Sequence, residues 1–293
     1  MAGKKRMGPL YVAFAALFWS FGGVGTKYIP WNPLSIICIR GAIATLTVGL
    51  LRRNFRISLK PATIASGLCM CGTIVLYVIS NKLTTAANAI VFQYTAPAYV
   101  ILISLLLLKK KPRIVENVTV ICTFSGISLF FIDDLGGGSL AGDIIALCSG
   151  VTYAVMTILN SLPSSDPQDA TMLGCILTTL FFPILFFDNA VVSSGVTPFI
   201  VVVLLGIFQL GLPYYLFAKG IQETGAVACS IITTSEPILN PIWVFLIMGE
   251  RPGLMSIIGA AVVITCICAY NVITAKQAKK TASHVKCSGT TAK

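Results

Sequence analysis

The chain has 293 residues, of which 56% are hydrophobic and only 11% charged, and its mean hydropathy is +0.89. That balance excludes a soluble globule of this length and points to a protein that crosses a bilayer many times. The net charge of +11 does not indicate nucleic acid, because the cations cluster at the ends of apolar runs rather than along one face.

A membrane-spanning helix needs about 20 mostly apolar residues. The sequence predicts ten such spans: Gly8 to Tyr28, Pro33 to Leu51, Pro61 to Ser80, Thr85 to Leu108, Val115 to Ile132, Gly142 to Asn160, Asp169 to Phe187, Thr197 to Ala218, Gly225 to Met248 and Leu254 to Ile273. The expected fold is therefore an all-α integral membrane protein with short links. With the N-terminus in the cytoplasm, seventeen Lys and Arg fall on that side, against Lys27, Lys82 and Arg251 on the other. The positive-inside bias thus places both termini in the cytoplasm, as an even number of spans requires. The link 161–168 is the one dissenter, since it carries Asp166 and no cation. Lys4-Lys5-Arg6 ahead of an apolar run resembles a signal peptide, but the first span is expected to stay as the partner of the sixth.

The chain repeats itself. Thr85-Ala86-Ala87-Asn88-Ala89, Ala96-Pro97 and Lys111-Pro112 return as Thr224-Gly225-Ala226-Val227-Ala228, Glu236-Pro237 and Arg251-Pro252. Gly8 matches Gly142, Gly67 matches Gly206, Gly72 matches Gly211 and Trp19 matches Tyr153. Each unit holds five crossings, so the second must enter the membrane upside down relative to the first. Two inverted five-helix repeats, 1–135 and 140–275, are then expected around a central cavity, with 276–293 as a basic cytoplasmic tail.

Helical spacing puts Trp19, Gly22, Gly23 and Thr26 on one face, and Tyr153, Met156, Thr157 and Asn160 on another. The glycines read as helix-packing contacts, while Trp19 and Tyr153 are candidates to face the cavity. Prolines interrupt several spans at Pro97, Pro183, Pro213, Pro237 and Pro241. Each removes a backbone donor, and freed carbonyls at membrane depth are tolerated only beside protein or a wet cavity. Pro97 and Pro237 occupy equivalent mid-membrane positions and are the candidate hinges.

Arg40 and Glu236 are the two charged side chains read as lying well inside a span. Such depth costs at least about 2.5 kcal/mol, so by default it marks function or a specific partner. Glu236, with Thr233 and Asn240 on its face, can carry a proton or bind an amine; a permanently protonated or hydrogen-bonded structural Glu is the rival reading. Arg40 keeps its charge and needs an anion, carbonyls or water; binding a substrate carboxylate, clamping a neighbouring helix and snorkelling are its three readings. Tyr77, Asn88, Gln93, Tyr94, Tyr99, Gln209, Tyr214 and Tyr215 complete the polar candidates; Asn88, Thr95 and Tyr99 share a face from which Gln93 lies off. Glu250 and Arg251 read as interfacial capping.

Nine of the ten cysteines lie in spans without paired CxxC spacing, and the single histidine, His284, is in the tail. No phosphate-cradling loop, HExxH or nucleophile triad occurs, so neither metal nor cofactor is expected.

Ten spans in two inverted halves, with Ala86 and Pro97 in the first and Ala226, Glu236-Pro237 and Gly249-Glu250 in the second, closely resemble the EamA-type transporters of the drug/metabolite transporter superfamily. Arg40 early in the second span and the Trp19-Ser20 pair in the first also resemble that family. Lys109-Lys110 stands where the second half has Gly249-Glu250, so that Glu has no symmetric counterpart. The resemblance implies a basket of helices around a cavity and export of amino acids or related small metabolites by alternating access at the plasma membrane. Efflux of cationic amphiphilic drugs is the alternative function, and an integral membrane enzyme or a non-transporting scaffold is the remaining one. The expected partners are a small-molecule substrate and lipid; two halves in one chain make a monomer the simpler expectation, with a dimer as the alternative.

Overall fold

The computed structural model describes residues 7–96, 98–100, 102–103, 114–134, 139–160, 162, 164–224, 232–233, 235–249 and 253–288, and among these every regular element is helical. Six helical spans are long and apolar enough to cross a membrane: Gly8–Tyr28, Pro33–Arg52, Pro61–Leu83, Leu140–Asn160, Pro167–Phe186 and Val196–Gly220. Together with the sequence-wide hydropathy they make the chain a multi-pass membrane protein.

The first span is α1 (Gly8–Trp19) and α2 (Gly22–Tyr28), separated by a turn at Ser20 and Phe21. The Ser20 hydroxyl donates to Leu17 O at 2.6 Å and accepts from Trp243 Nε1 at 3.0 Å, while the Phe21 and Trp243 rings stack at 5.0 Å. The turn is therefore held by side chains rather than left exposed to lipid. Next come α3 (Pro33–Arg52), α4 (Pro61–Leu83) and α5 (Ala86–Gln93). Pro opens α3 and α4, where its missing N–H costs nothing, and Asn32 and Thr85 cap α3 and α5 through their side chains.

The helices α6 (Ile114–Asp134), α7 (Leu140–Asn160) and α8 (Pro167–Thr179) follow. Pro183 does not kink a continuous seventh span; the chain instead tightens into a 3-10 turn over Phe182–Phe186 and then the short α9 (Asn189–Ser193). The eighth span runs from α10 (Val196–Leu204) through a π-helical stretch, Leu205–Gly211, into α11 (Leu212–Thr224). Pro213 explains the widening: it offers no N–H and its ring crowds the carbonyl of Gln209 one turn back. Lastly α12 (Ser235–Met248) and α13 (Leu254–Ser288) are described. The spans expected over Val115–Ile132 and Leu254–Ile273 fall on α6 and α13. Those over Thr85–Leu108 and Gly225–Met248 run into residues outside the description, as do Pro97, Lys111-Pro112, Gly225 to Ala228 and Arg251-Pro252.

The ends of the spans sort into two groups. At one end Lys27 Nζ donates to Thr84 O at 2.9 Å, Lys82 Nζ bonds Ile29 O, and Asp143 accepts from the Thr84 hydroxyl at 2.6 Å. At the other, Arg52 pairs with Asp169, Ser58 N donates to Asp169 Oδ2 at 2.9 Å, and Asp166 N donates to the Thr63 hydroxyl at 3.1 Å. Gly8 lies beside Gly220. The six spans therefore alternate in direction. The acid of the dissenting link is also accounted for: Asp166 caps α8, accepting from Gln168 N and Asp169 N, while Asp169 in the first turn of α8 pairs with Arg52 at the end of α3.

Candidate functional site

Three helix irregularities converge on one cavity. They are the turn at Ser20–Phe21, a turn at Tyr94–Thr95 that ends α5, and the π stretch at Leu205–Gly211. The α5 turn is packed tightly: a Cβ at Gly150 of α7 would lie 3.0 Å from Phe92 O and 3.2 Å from Gln93 O, so only glycine allows this approach without a shift. Gln93, the last residue of α5, and Tyr94 in the turn both line the cavity.

The cavity has a volume of about 40 Å³ and is lined by Trp19, Arg40, Tyr77, Tyr94, Tyr153, Gln209, Tyr214 and Glu236, together with Thr73, Ile74, Val78, Gln93 and Leu210. Arg40 is 2% exposed and Glu236 7% exposed, so both charges are withdrawn from the surface. They are not paired with each other. The guanidinium donates through Nη2 to Gln209 Oε1 and through Nη1 to the Thr26 hydroxyl at 3.5 Å. Both acceptors are neutral, and Arg40 Nε has no partner. Glu236 Oε2 accepts from the Tyr94 hydroxyl at 2.6 Å. The indole N–H of Trp19 and the hydroxyl of Tyr77 are also buried without a partner. One wall thus presents unsatisfied donors around a fixed positive charge, and the Tyr94 side presents a carboxyl group.

Toward the Arg52–Asp169 end, a second hollow of about 20 Å³ is lined by Met156, Asn160, Pro167, Thr171, Phe217 and Ala218 with Trp19, Tyr153 and Tyr214. The last three line the central cavity too, so an aromatic layer separates the two spaces. Trp19 meets Tyr214 edge-on at 4.8 Å and Phe217 at 5.3 Å, and Tyr94 lies 6.4 Å from Tyr153.

Of the polar residues picked from the sequence, the structure gathers Trp19, Arg40, Tyr77, Tyr94, Tyr153, Gln209, Tyr214 and Glu236 around this cavity. Asn240 is fully buried just behind it: a Cβ at Gly23 would fall 2.8 Å from Asn240 Oδ1. Three candidates lie elsewhere. The Tyr215 hydroxyl donates to Leu51 O at 3.0 Å. Asn88 Nδ2 donates to both oxygens of Asp143 at 3.3 Å, and Tyr99 packs edge-on against Phe124 at 6.0 Å. The Tyr94–Thr95 turn breaks the register that put Asn88, Thr95 and Tyr99 on one face. Pro237 is buried in α12, and Pro97 lies outside the described residues. Asp143, fully buried at the start of α7, was not legible as a third interior charge because it sits at the edge of its apolar run. Thr73, which bonds Thr152 Oγ1 at 2.9 Å, lines the cavity without any sequence signal beyond its polarity.

The model of the EamA-like transporter family matches residues 6–132 and 140–272. The chain belongs to the EamA-like transporter family. It is a membrane transporter and not an enzyme, with a small-molecule substrate and a lipid environment. This transporter is 23% identical over 286 residues to a Clostridium kluyveri protein named as an uncharacterized transporter, covering 88% of this chain and 91% of that one. It is 24% identical over 297 residues to the uncharacterized transporter YwfM of Bacillus subtilis, covering 96% of this chain and 99% of that one. A solved crystal structure shares the fold, with a TM-score of 0.65 at 19% identity over 93% of this chain and 100% of that chain.

Proposed function

We propose that this transporter exports small amino-acid-like metabolites across the plasma membrane by alternating access, both termini lying in the cytoplasm. The observation that carries the reading is a buried guanidinium and a buried carboxyl group lining one small cavity without neutralising each other. A zwitterion has the complementary pair: its carboxylate meets Arg40 with the free donors of Trp19 and Tyr77, and its ammonium meets Glu236 beside Tyr94. Asn240 and the hinge at Pro237 lie behind this wall; Pro97 is the matching hinge in the first half. Efflux of cationic amphiphiles is served less well, because a cation would share a small space with Arg40 and leave its donors unsatisfied.

Alternating access requires two halves that can rock, and we read 1–135 and 140–275 as inverted repeats of five spans each, making ten, with 276–293 a cytoplasmic tail. The packing supports this. The neighbours α4 and α7 are exchanged by the repeat into α11 and α1, which also pack together; α4 with α8 becomes the π stretch with α3; and α3 with α8 and α6 with α13 map onto themselves. A single chain supplies both halves, which favours a monomer.

The test is uptake of labelled L-alanine, L-serine and L-threonine into proteoliposomes, with propionate and ethylamine as single-ended competitors. The wild type is expected to transport at least one of the amino acids, with neither competitor matching it. Arg40→Ala and Glu236→Gln, inserted normally, are each expected to lower transport at least tenfold. Unchanged transport in both variants would refute the assignment.

A further inference from the structure

A larger hollow, of about 340 Å³, opens on the outside of the bundle between the first and eighth spans. Phe18, Phe21 and Val24 form one wall, Val201 and Phe208 the other, and among the described residues Gln209 is the only polar one in its lining. The backbone explains why it exists. Near the start of α1 the two spans touch, a Cβ at Gly220 falling 2.9 Å from Gly8 O; farther along, the Ser20–Phe21 turn and the π stretch let them diverge. The Phe18 and Phe208 rings stay 6.0 Å apart across the gap. Its rim is the exposed apolar face of Phe14, Phe21, Leu204 and Phe208, which in a multi-pass membrane protein lies against hydrocarbon.

A water molecule needs two to four polar partners, and this crevice offers one amide. Among the described residues no charged side chain lines it, which favours an apolar chain over a headgroup as its occupant. Its size falls in the range of small-ligand pockets, about 300–1,000 Å³. It is continuous with the lipid-facing surface and opens sideways. We propose that the crevice between α1–α2 and α10 with its π stretch binds one acyl chain of a bilayer phospholipid, which packs behind Gln209 and holds its amide on Arg40. Gln209 lines both the crevice and the central cavity, so the bilayer and the substrate site share this one side chain as their wall.

The experiment compares thermal unfolding of the delipidated full-length protein in detergent with dioleoyl- and dihexanoyl-phosphatidylglycerol, which share a headgroup. The dioleoyl lipid is expected to raise the melting temperature by at least about 3 °C and the dihexanoyl lipid not to. Val24→Trp and Val201→Trp, made singly to fill the crevice, should each abolish that rise. A rise of wild-type size in the filled variants, or an equal effect of both lipids, would overturn the proposal. Native mass spectrometry of the wild type decides without any variant: one dioleoyl lipid should survive detergent washing that strips the dihexanoyl lipid, and retention of none would refute it. The zwitterion assignment is independent of either result, since it is read by competition in proteoliposomes.

Discussion

Asp143 closes the end of the protein opposite the smaller hollow. It is fully buried at the start of α7 and accepts from the Thr84 hydroxyl at 2.6 Å and from Asn88 Nδ2 at 3.3 Å, binding α7 to the link between α4 and α5. Hydrogen bonds to a charged acceptor contribute about 1.5–3 kcal/mol each, so Asp143→Ala, which strips both donors of their acceptor, removes roughly 3–5 kcal/mol from the closed arrangement of that end. Under the proposed alternating access, if only about 3 kcal/mol of this is felt in the balance between closed and open, the open population rises by more than a hundredfold, at a factor of ten for every 1.4 kcal/mol. The assay is labelling of Tyr77→Cys, in a background lacking the native cysteines, by a membrane-impermeant thiol reagent applied separately to each face of oriented vesicles. Labelling from the Lys27–Lys82 face should accelerate at least tenfold in Asp143→Ala and by less in Asp143→Asn, which keeps one acceptor oxygen. An unchanged rate from that face in a folded variant, or an equal rise from both faces, would refute the latch.

The close approach of α1 and α11 predicts that Gly220→Leu destabilises by about 1–3 kcal/mol in chemical unfolding, because its Cβ meets the backbone of Gly8 at 2.9 Å and Val12 N at 3.3 Å. Gly72→Ala is the control: its nearest neighbour is the Thr152 methyl at 3.6 Å, and it should be neutral or slightly stabilising. Asp169→Asn leaves the part-buried Arg52 without its counter-charge and is expected to destabilise by about 1–3 kcal/mol, read by the same unfolding measurement. Reporter fusions at residues 1 and 293 should both report the cytoplasm. Opposite faces would contradict an even number of spans and with it the inverted repeat.

Six of the spans were legible because lipid leaves the backbone almost no choice: an apolar run must be helical, and a start can be marked by Pro with a polar residue ahead of it, as at Asn32-Pro33. The same signal at Asp166-Pro167 went unused, the seventh span being expected from Asp169. Side-chain directions were legible only as far as each helix stayed regular. Periodicity correctly brought Gly22, Gly23 and Thr26 to one side of the first span, where they meet Gln209, Asn240 and Arg40. It misdirected Asn88 and Tyr99, whose helix is interrupted between them. The breaks themselves had partial signals. Pro213 pointed to the π stretch, whereas the turn at Ser20–Phe21 depends on Trp243, more than two hundred residues away, and no local pattern could announce it.

That dependence links the architecture to the site. A backbone turn at membrane depth survives only if distant side chains satisfy it, and those side chains then fix how the spans can pack. Trp243 holds the turn of the first span from α12, the span that also carries Glu236; Gln209, on the π stretch of the eighth, holds Arg40 of the second. The two charges that define the cavity sit on the regular helices α3 and α12, but their partners, Gln209 and Tyr94, lie on irregular segments. Moving either segment relative to its partner changes the separation between Arg40 and Glu236, which under the proposed function is the distance the solute bridges. On the alternating-access reading proposed above, substrate binding is favoured in the arrangement whose charge spacing matches the solute, and closure around it follows from differential affinity between the two arrangements.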